Sequence, residues 1–150
     1  MLQQLINPVL WCGLIAWAIA QSVKVPLDYL QTRVWHWHLL LEAGGMPSSH
    51  SAFIVGISHG IGLFTGFNTP LYALGFAVAA IVVYDATGIR RQAGIHAELI
   101  NIIIRNLATG HPLRIGNLQV REVLGHTPLE ALAGVLLGLA VAQALWLLWA

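Results

Sequence analysis

The stretch that decides the fold is residues 127–149, TPLEALAGVLLGLAVAQALWLLW. It opens with Thr127, whose hydroxyl can cap a helix, and sets Pro128 at the first helical position, where a missing amide hydrogen is least felt. Its only charge is Glu130, in the first turn, where the positive end of a helix favours an acid. The remainder is long enough for a hydrocarbon core about 30 Å thick, which takes roughly 20 residues at about 1.5 Å each. This is the pattern of a membrane-spanning helix.

Working outward, the same punctuation recurs at Asn7-Pro8 and Thr69-Pro70. Apolar run lengths predict four spans, at 8–25, 48–66, 70–89 and 128–149. Pro26 is expected to end the first of them. The following stretch, 27–45, holds Trp35, His36, Trp37 and His38, amphipathic rings suited to the headgroup level. Between the third and fourth spans Ile95, Leu99, Ile102, Ile103 and Leu107 recur at helical spacing, with Glu98, Asn101 and Arg105 on another stripe. That predicts an interfacial amphipathic helix over 94–108, broken at Gly110-His111-Pro112. No repeat or linker divides the chain, so the expectation is a single all-α membrane domain over 1–150, with about four transmembrane helices and one surface helix.

Composition agrees. Of 150 residues, 57% are hydrophobic and 9% charged, where soluble domains carry about one quarter charged. A formal net charge of +1 is too small for a nucleic-acid partner. Cys12 is the single cysteine, so no disulfide framework or thiolate metal site is available within one chain. His36, His38, His96 and His111 are expected at the wet interface and His59 in the helix packing; with no paired histidine spacing on a clear helix, neither a metal nor a cofactor is expected. Met1 to Asn7 carries no Lys or Arg, so the first run reads as a permanent span rather than a cleaved leader.

Four crossings place the end of the first span, the start of the second, the end of the third and the start of the fourth on one side. There fall Lys24, Arg33, Arg90, Arg91, Arg105, Arg114 and Arg121, together with Asp28, Glu42, Asp85, Glu98, Glu122 and Glu130. Neutral residues such as Gln3, Gln4 and Asn68 mark the other side. The positive-inside rule accounts for the basic residues, and predicts that this face is cytoplasmic, but not for the acids that accompany them. Ionisable groups near the ends of apolar spans, such as Lys24 and Asp85, are costly and point to function.

Two helix starts also reach this face, Gly45-Met46-Pro47-Ser48-Ser49-His50 and Gly125-His126-Thr127-Pro128. Free amides at a helix N-terminus form an anion site. Two imidazoles beside a bound anion, with cations nearby, supply a nucleophile, a proton donor and charge stabilisation for phosphoryl transfer. Bland roles stand beside these: Ser48 as a helix cap, Glu130 as the acid of a capping box reaching back to Thr127, and Asp85 as half of a structural ion pair with Arg90, Arg91 or Lys24. Gly56, Gly60 and Gly62, with Gly134 and Gly138, read as helix-packing faces.

Lys24, Pro47-Ser48-Ser49-His50 and the run Arg121 to Glu130 resemble a degenerate form of the three-part signature of type 2 phosphatidic acid phosphatases and vanadium haloperoxidases. The runs 44–52, Tyr84-Asp85-Ala86 through Arg90-Arg91, and Leu124 to Glu130 resemble more closely the small divergent branch of that superfamily found in bacteria and plants. The likeness extends from about residue 7 to residue 138. It implies a metal-independent lipid phosphatase with a phosphohistidine intermediate. His126 would attack phosphorus, His50 would protonate the leaving alkoxide, and Glu130 would hold the His126 ring in its reactive tautomer. Lys24, Arg121 and the amides near Ser48 and Ser49 would grip the non-bridging oxygens. The sequence departs from the signature in having no Arg-Pro after Lys24, Ser49 where glycine is usual, Arg121 five residues before His126, and Glu130 in place of aspartate. Arg90 or Arg91 could supply the missing guanidinium.

The expectation is therefore a membrane lipid-phosphate phosphohydrolase whose partners are membrane lipids and a prenyl or glycerolipid phosphate. A carrier of phosphorylated lipid and a structural membrane subunit are the rivals. Four spans are few to enclose a site, which leaves a homo-oligomer open.

Overall fold

The computed structural model describes residues 7–40, 44–108 and 126–149, and among them every regular element is helical. In chain order these are α1 (Pro8–Thr32), a short 3-10 turn (Trp37–Leu40), α2 (Ser49–Thr65), α3 (Pro70–Thr87), α4 (Ile89–Ala108) and α5 (Pro128–Trp149). The proline-led starts are capped as their side chains dictate. Asn7 Oδ1 accepts the amides of Val9 at 3.0 Å and Leu10 at 3.3 Å, and Thr69 Oγ1 accepts that of Tyr72 at 3.2 Å.

Two boundaries differ from the sequence reading. Pro26 does not end α1, which runs on to Thr32 and stops where Arg33 adopts φ 59° and donates its amide to the Tyr29 carbonyl at 2.8 Å. A proline inside a helix removes one backbone bond, and here the returning chain holds the extra turns in place. His36 Nδ1 lies 2.6 Å from Asp28 Oδ2, and Trp35 stacks on Tyr29 and Trp37 with ring centroids 4.4 and 5.4 Å apart. The amphipathic helix begins at Ile89, directly after Gly88, rather than at 94.

Helix α2 is the centre of the bundle, with α1, α3 and α5 packed around it. The contacts are made by small side chains four residues apart: Cys12, Ala16, Ala20 and then Lys24 on α1, Ser48, Ala52, Gly56 and Gly60 on α2, and Gly134, Gly138 and Ala142 on α5, all buried. Without a water-driven force between helices in lipid, such stripes let backbones approach and gain dispersion contact. A Cβ on Gly138 would stand 2.6 Å from the Ala52 carbonyl oxygen, and one on Gly56 2.7 Å from that of Cys12, so neither position has room for one.

The bulky residues face outward instead. Leu10, Trp11, Trp17, Leu71, Leu74, Phe76, Ile81, Leu132 and Leu136 are exposed. A continuous apolar exterior of this kind suits hydrocarbon and not water. By length and hydropathy α1, α3 and α5 can each cross a membrane. Helix α2 is 17 residues long, about 25 Å, and lies among them as the fourth member. The fold is an all-α membrane bundle of about four spanning helices with amphipathic α4 attached.

Candidate active site

The site begins where α2 starts. Ser48 is fully buried and its Oγ accepts the Ser51 amide at 3.3 Å and the Ser51 hydroxyl at 3.1 Å. Its own amide donates to the Glu130 carbonyl at 2.9 Å. Helix α5 can come this close because Gly134 has no side chain; a Cβ there would run into the Ser48 carbonyl oxygen. The first turns of α2 and α5 are thus joined backbone to backbone, which carries His50 and His126 to the same place.

His126 precedes α5 and is 4% exposed. Its amide donates to the Ala86 carbonyl at 3.1 Å, tying the residue to the end of α3. Its ring Nδ1 lies 3.3 Å from Glu130 Oε2, and the same oxygen accepts the Thr127 amide at 2.9 Å, while the Glu130 amide donates to Thr127 Oγ1 at 3.3 Å. Capping the helix and holding the imidazole are the two roles that the sequence offers for Glu130. One oxygen does both, as its two lone pairs permit.

His50, exposed on its side of α2, faces His126 with ring centroids 6.5 Å apart and planes at 57°. The two rings line a cavity of about 180 Å³, closed by Ile81, Val82, Asp85 and Ala86 of α3. Three elements therefore meet at this cavity, the start of α2, the end of α3 and the residue that leads into α5. A second cavity, about 470 Å³ and lined by Leu14, Trp17, Phe53 and Ile54, shares His50 and Val82 with the first. It is apolar and lies between α1, α2 and α3.

Lys24 reaches the start of α2 from the neighbouring α1. It is 2% exposed, and Nζ donates to Ser49 Oγ at 3.4 Å. It also lines a separate polar cavity of about 260 Å³ together with Asp28, Gly45, Thr127 and Glu130. Ser49 and Glu130 connect this cavity to the paired imidazoles, since Ser49 adjoins His50 in α2 and Glu130 lies against His126. The Ser48 amide, committed to Glu130, is not available to an anion, which leaves the first-turn amides of Ser49 and His50 for that part. Arg121 and the side chains of Arg90 and Arg91 lie outside the described residues. So do Glu42, Arg114, Glu122, the break at Gly110-His111-Pro112, and the side chains of Arg105 and Leu107. Among the described residues no group of three His, Cys, Asp or Glu side chains could hold a metal.

Sequence reasoning missed three features here. The Ala86 carbonyl that anchors His126 carries no residue-type signal. The Cys12-Ala16-Ala20-Lys24 stripe that brings Lys24 into the bundle was legible as four small or polar positions at helical spacing. The apolar cavity needs the packing of three helices and could not be read from any one of them.

Helices, site and apolar exterior together define an integral membrane protein with paired histidines at one end of its bundle. The chain belongs to the Divergent PAP2 family, whose profile matches residues 5–141. It is also similar to the membrane protein YuiD of Bacillus subtilis (strain 168), described as uncharacterized, at 35% identity over 96% of this chain and 97% of that one. No solved structure matches.

Proposed function

We propose that the chain is a lipid-phosphate phosphohydrolase that works through a phosphohistidine at His126. The observation that carries this reading is the pair of imidazoles across one small cavity, one of them held by a carboxylate on Nδ1. With Nδ1–H donated to Glu130, the lone pair of His126 sits on Nε2, the nitrogen that attacks phosphorus. As the phosphorus–nitrogen bond forms, the phosphorus–oxygen bond to the lipid breaks. His50 gives its proton to the departing alkoxide, which leaves as an alcohol. In the second step water attacks phosphorus, the phosphorus–nitrogen bond breaks, His50 recovers a proton and inorganic phosphate departs.

Positioning comes from the backbone. First-turn amides of Ser49 and His50 present the positive end of α2 to the non-bridging oxygens. Arg121, Arg90 and Arg91 are the guanidinium candidates. Asp85, in the wall of the same cavity, supports the arrangement. The adjoining apolar cavity suits the first carbons of a prenyl or acyl chain, so a substrate can keep its tail in lipid while its phosphate meets the histidines. The charge distribution favours a cytoplasmic site. Fusion reporters in the loop at 66–69 and after Ala150 test this, and a cytoplasmic signal from either overturns it.

The test of activity is phosphate release by purified protein in detergent from polyprenyl phosphate, polyprenyl diphosphate and phosphatidic acid, without added metal. Release is expected from at least one of them, with loss in His126→Ala and in His50→Ala. Lipid binding without release, unchanged by either substitution, identifies a carrier and sinks the hydrolase.

A further inference from the structure

The opposite half of the bundle holds a third cavity that the proposed chemistry does not use. It measures about 310 Å³ and lies between α2, α3 and α5. Its wall includes Ser58, His59, Tyr72, Phe76, Val135 and Leu139. His59 is nine residues beyond His50, about 14 Å further along α2 and on the opposite side of it. Tyr72 is in the first turn of α3, so the cavity belongs to the leaflet away from the paired imidazoles.

Ser58 is 4% exposed, and its hydroxyl has no hydrogen-bond partner among the described residues; the same holds for the His59 ring and the Tyr72 hydroxyl. Their neighbours are rings and aliphatic chains: His59 lies 5.6 Å from Phe67, and Tyr72 lies 5.0 Å from Phe67 and 6.3 Å from Phe76, centroid to centroid. A serine four residues from a helix carbonyl commonly bonds back to it, as Ser22 does to Ala18 at 2.8 Å. Ser58 does not. Ser58 is buried and His59 and Tyr72 are half-buried, so the three form a polar spot in an otherwise apolar chamber, where a ligand hydroxyl can supply the partner that hydrocarbon does not.

We infer that this cavity binds an uncharged, single-chain lipid alcohol, its hydroxyl bonded to Ser58, His59 and Tyr72 and its chain against Phe76, Val135 and Leu139. Among the described residues no Lys, Arg, Asp or Glu lines the chamber, which disfavours a charged head. Serine, tyrosine and neutral histidine each donate and accept. A hydroxyl does both as well and can satisfy them together, whereas a carbonyl or ether oxygen only accepts. The apolar remainder of the wall selects a hydrocarbon chain. This site is independent of the phosphohydrolase reading and stands or falls without it.

The test uses the full chain in nanodiscs, as wild type and as His126→Ala, with hexadecanol bearing a mid-chain diazirine. Photolabelling is expected on Val55, Phe76 and Val135 in both proteins. Unlabelled hexadecanol should compete, and hexadecane should not. Ser58→Ala with Tyr72→Phe removes two hydroxyls without changing the shape of the chamber, and should lower labelling about tenfold at an unchanged melting temperature. Equal competition by hexadecane, labelling indifferent to the double substitution, or adducts confined to outward residues such as Leu74 and Ile81 would each overturn the inference.

Discussion

His50 and His59 share one helix, and the comparison between their ends of the bundle is instructive. Around His50 two helix starts meet, backbone amides are committed to named carbonyls, and a second histidine is braced by Glu130. Around His59 the neighbours are Phe67, Tyr72 and aliphatic side chains, and among the described residues no Lys, Arg, Asp or Glu lines the cavity. Residue type is the same in both places. What differs is how many oriented dipoles and ionisable groups converge, and that follows from topology. An even number of crossings gathers the charged ends on one side and leaves the other to short, neutral turns.

The comparison breaks first on chemistry. If only the charged end is a reaction centre, His126→Ala should abolish phosphate release, and His50→Ala should reduce it by about 10²- to 10⁴-fold, the usual range for a lost general acid. Turnover and melting temperature in detergent should be measured together. A His50→Ala protein that melts normally and turns over normally removes the acid role.

Next in size is Glu130, which serves packing and chemistry with one oxygen. Glu130→Gln keeps an acceptor for the Thr127 amide but gives up the charge that steadies the imidazole. A drop in kcat on the order of 10²-fold is expected, with KM little changed. Thr127→Ala loses only the hydroxyl of the capping box, and should cost about 1 kcal/mol of stability with kcat retained. If both variants lose stability alike and kcat holds in both, Glu130 is a cap and nothing more.

Much of this was legible in the chain. Thr127-Pro128 and Thr69-Pro70 fixed helix starts because capping and proline at the first position are local effects. That His50 and His126 share one side was legible from the parity of crossings, whereas their approach to one cavity depends on the Ser48–Glu130 backbone bond and the bare Gly134, which no count of spans shows. The extension of α1 through Pro26 was not legible, because it depends on Asp28 and Tyr29 finding His36 and Trp35 across a turn. The cavity that Lys24 lines was hidden for a similar reason: a helical wheel gives a side chain its direction but not which of two neighbouring cavities it enters.

Packing gives a smaller contrast between the two ends. At the charged end Gly134 abuts a backbone carbonyl, and at the other end Gly62 abuts the ring of Phe67. A ring can swing aside, whereas a carbonyl bound into a helix start cannot. Gly134→Ala should therefore destabilise by about 1–3 kcal/mol through forced separation of α2 from α5, and Gly62→Ala by less than about 1 kcal/mol. Melting of the two variants in the same detergent tests this, and loss of phosphate release should accompany Gly134→Ala alone. Equal melting shifts would mean that the two ends are packed alike.

The smallest expected difference is between the caps of α2 and α3. Ser48 and Thr69 do the same local work, each accepting an amide from the first turn, at 3.3 and 3.2 Å. Removing either cap should cost about 1 kcal/mol. Ser48, however, also accepts the Ser51 hydroxyl at 3.1 Å, and both side chains are fully buried. Ser48→Ala leaves that hydroxyl without its acceptor, which adds about 1–3 kcal/mol. Thr69 sits in a partly exposed turn, where water can replace what Thr69→Ala removes. The double variant Ser48→Ala/Ser51→Ala separates the two contributions, since it deletes donor and acceptor together. Its melting temperature should recover toward that of Thr69→Ala. A double variant no more stable than Ser48→Ala would show that the extra cost comes from elsewhere than the stranded hydroxyl.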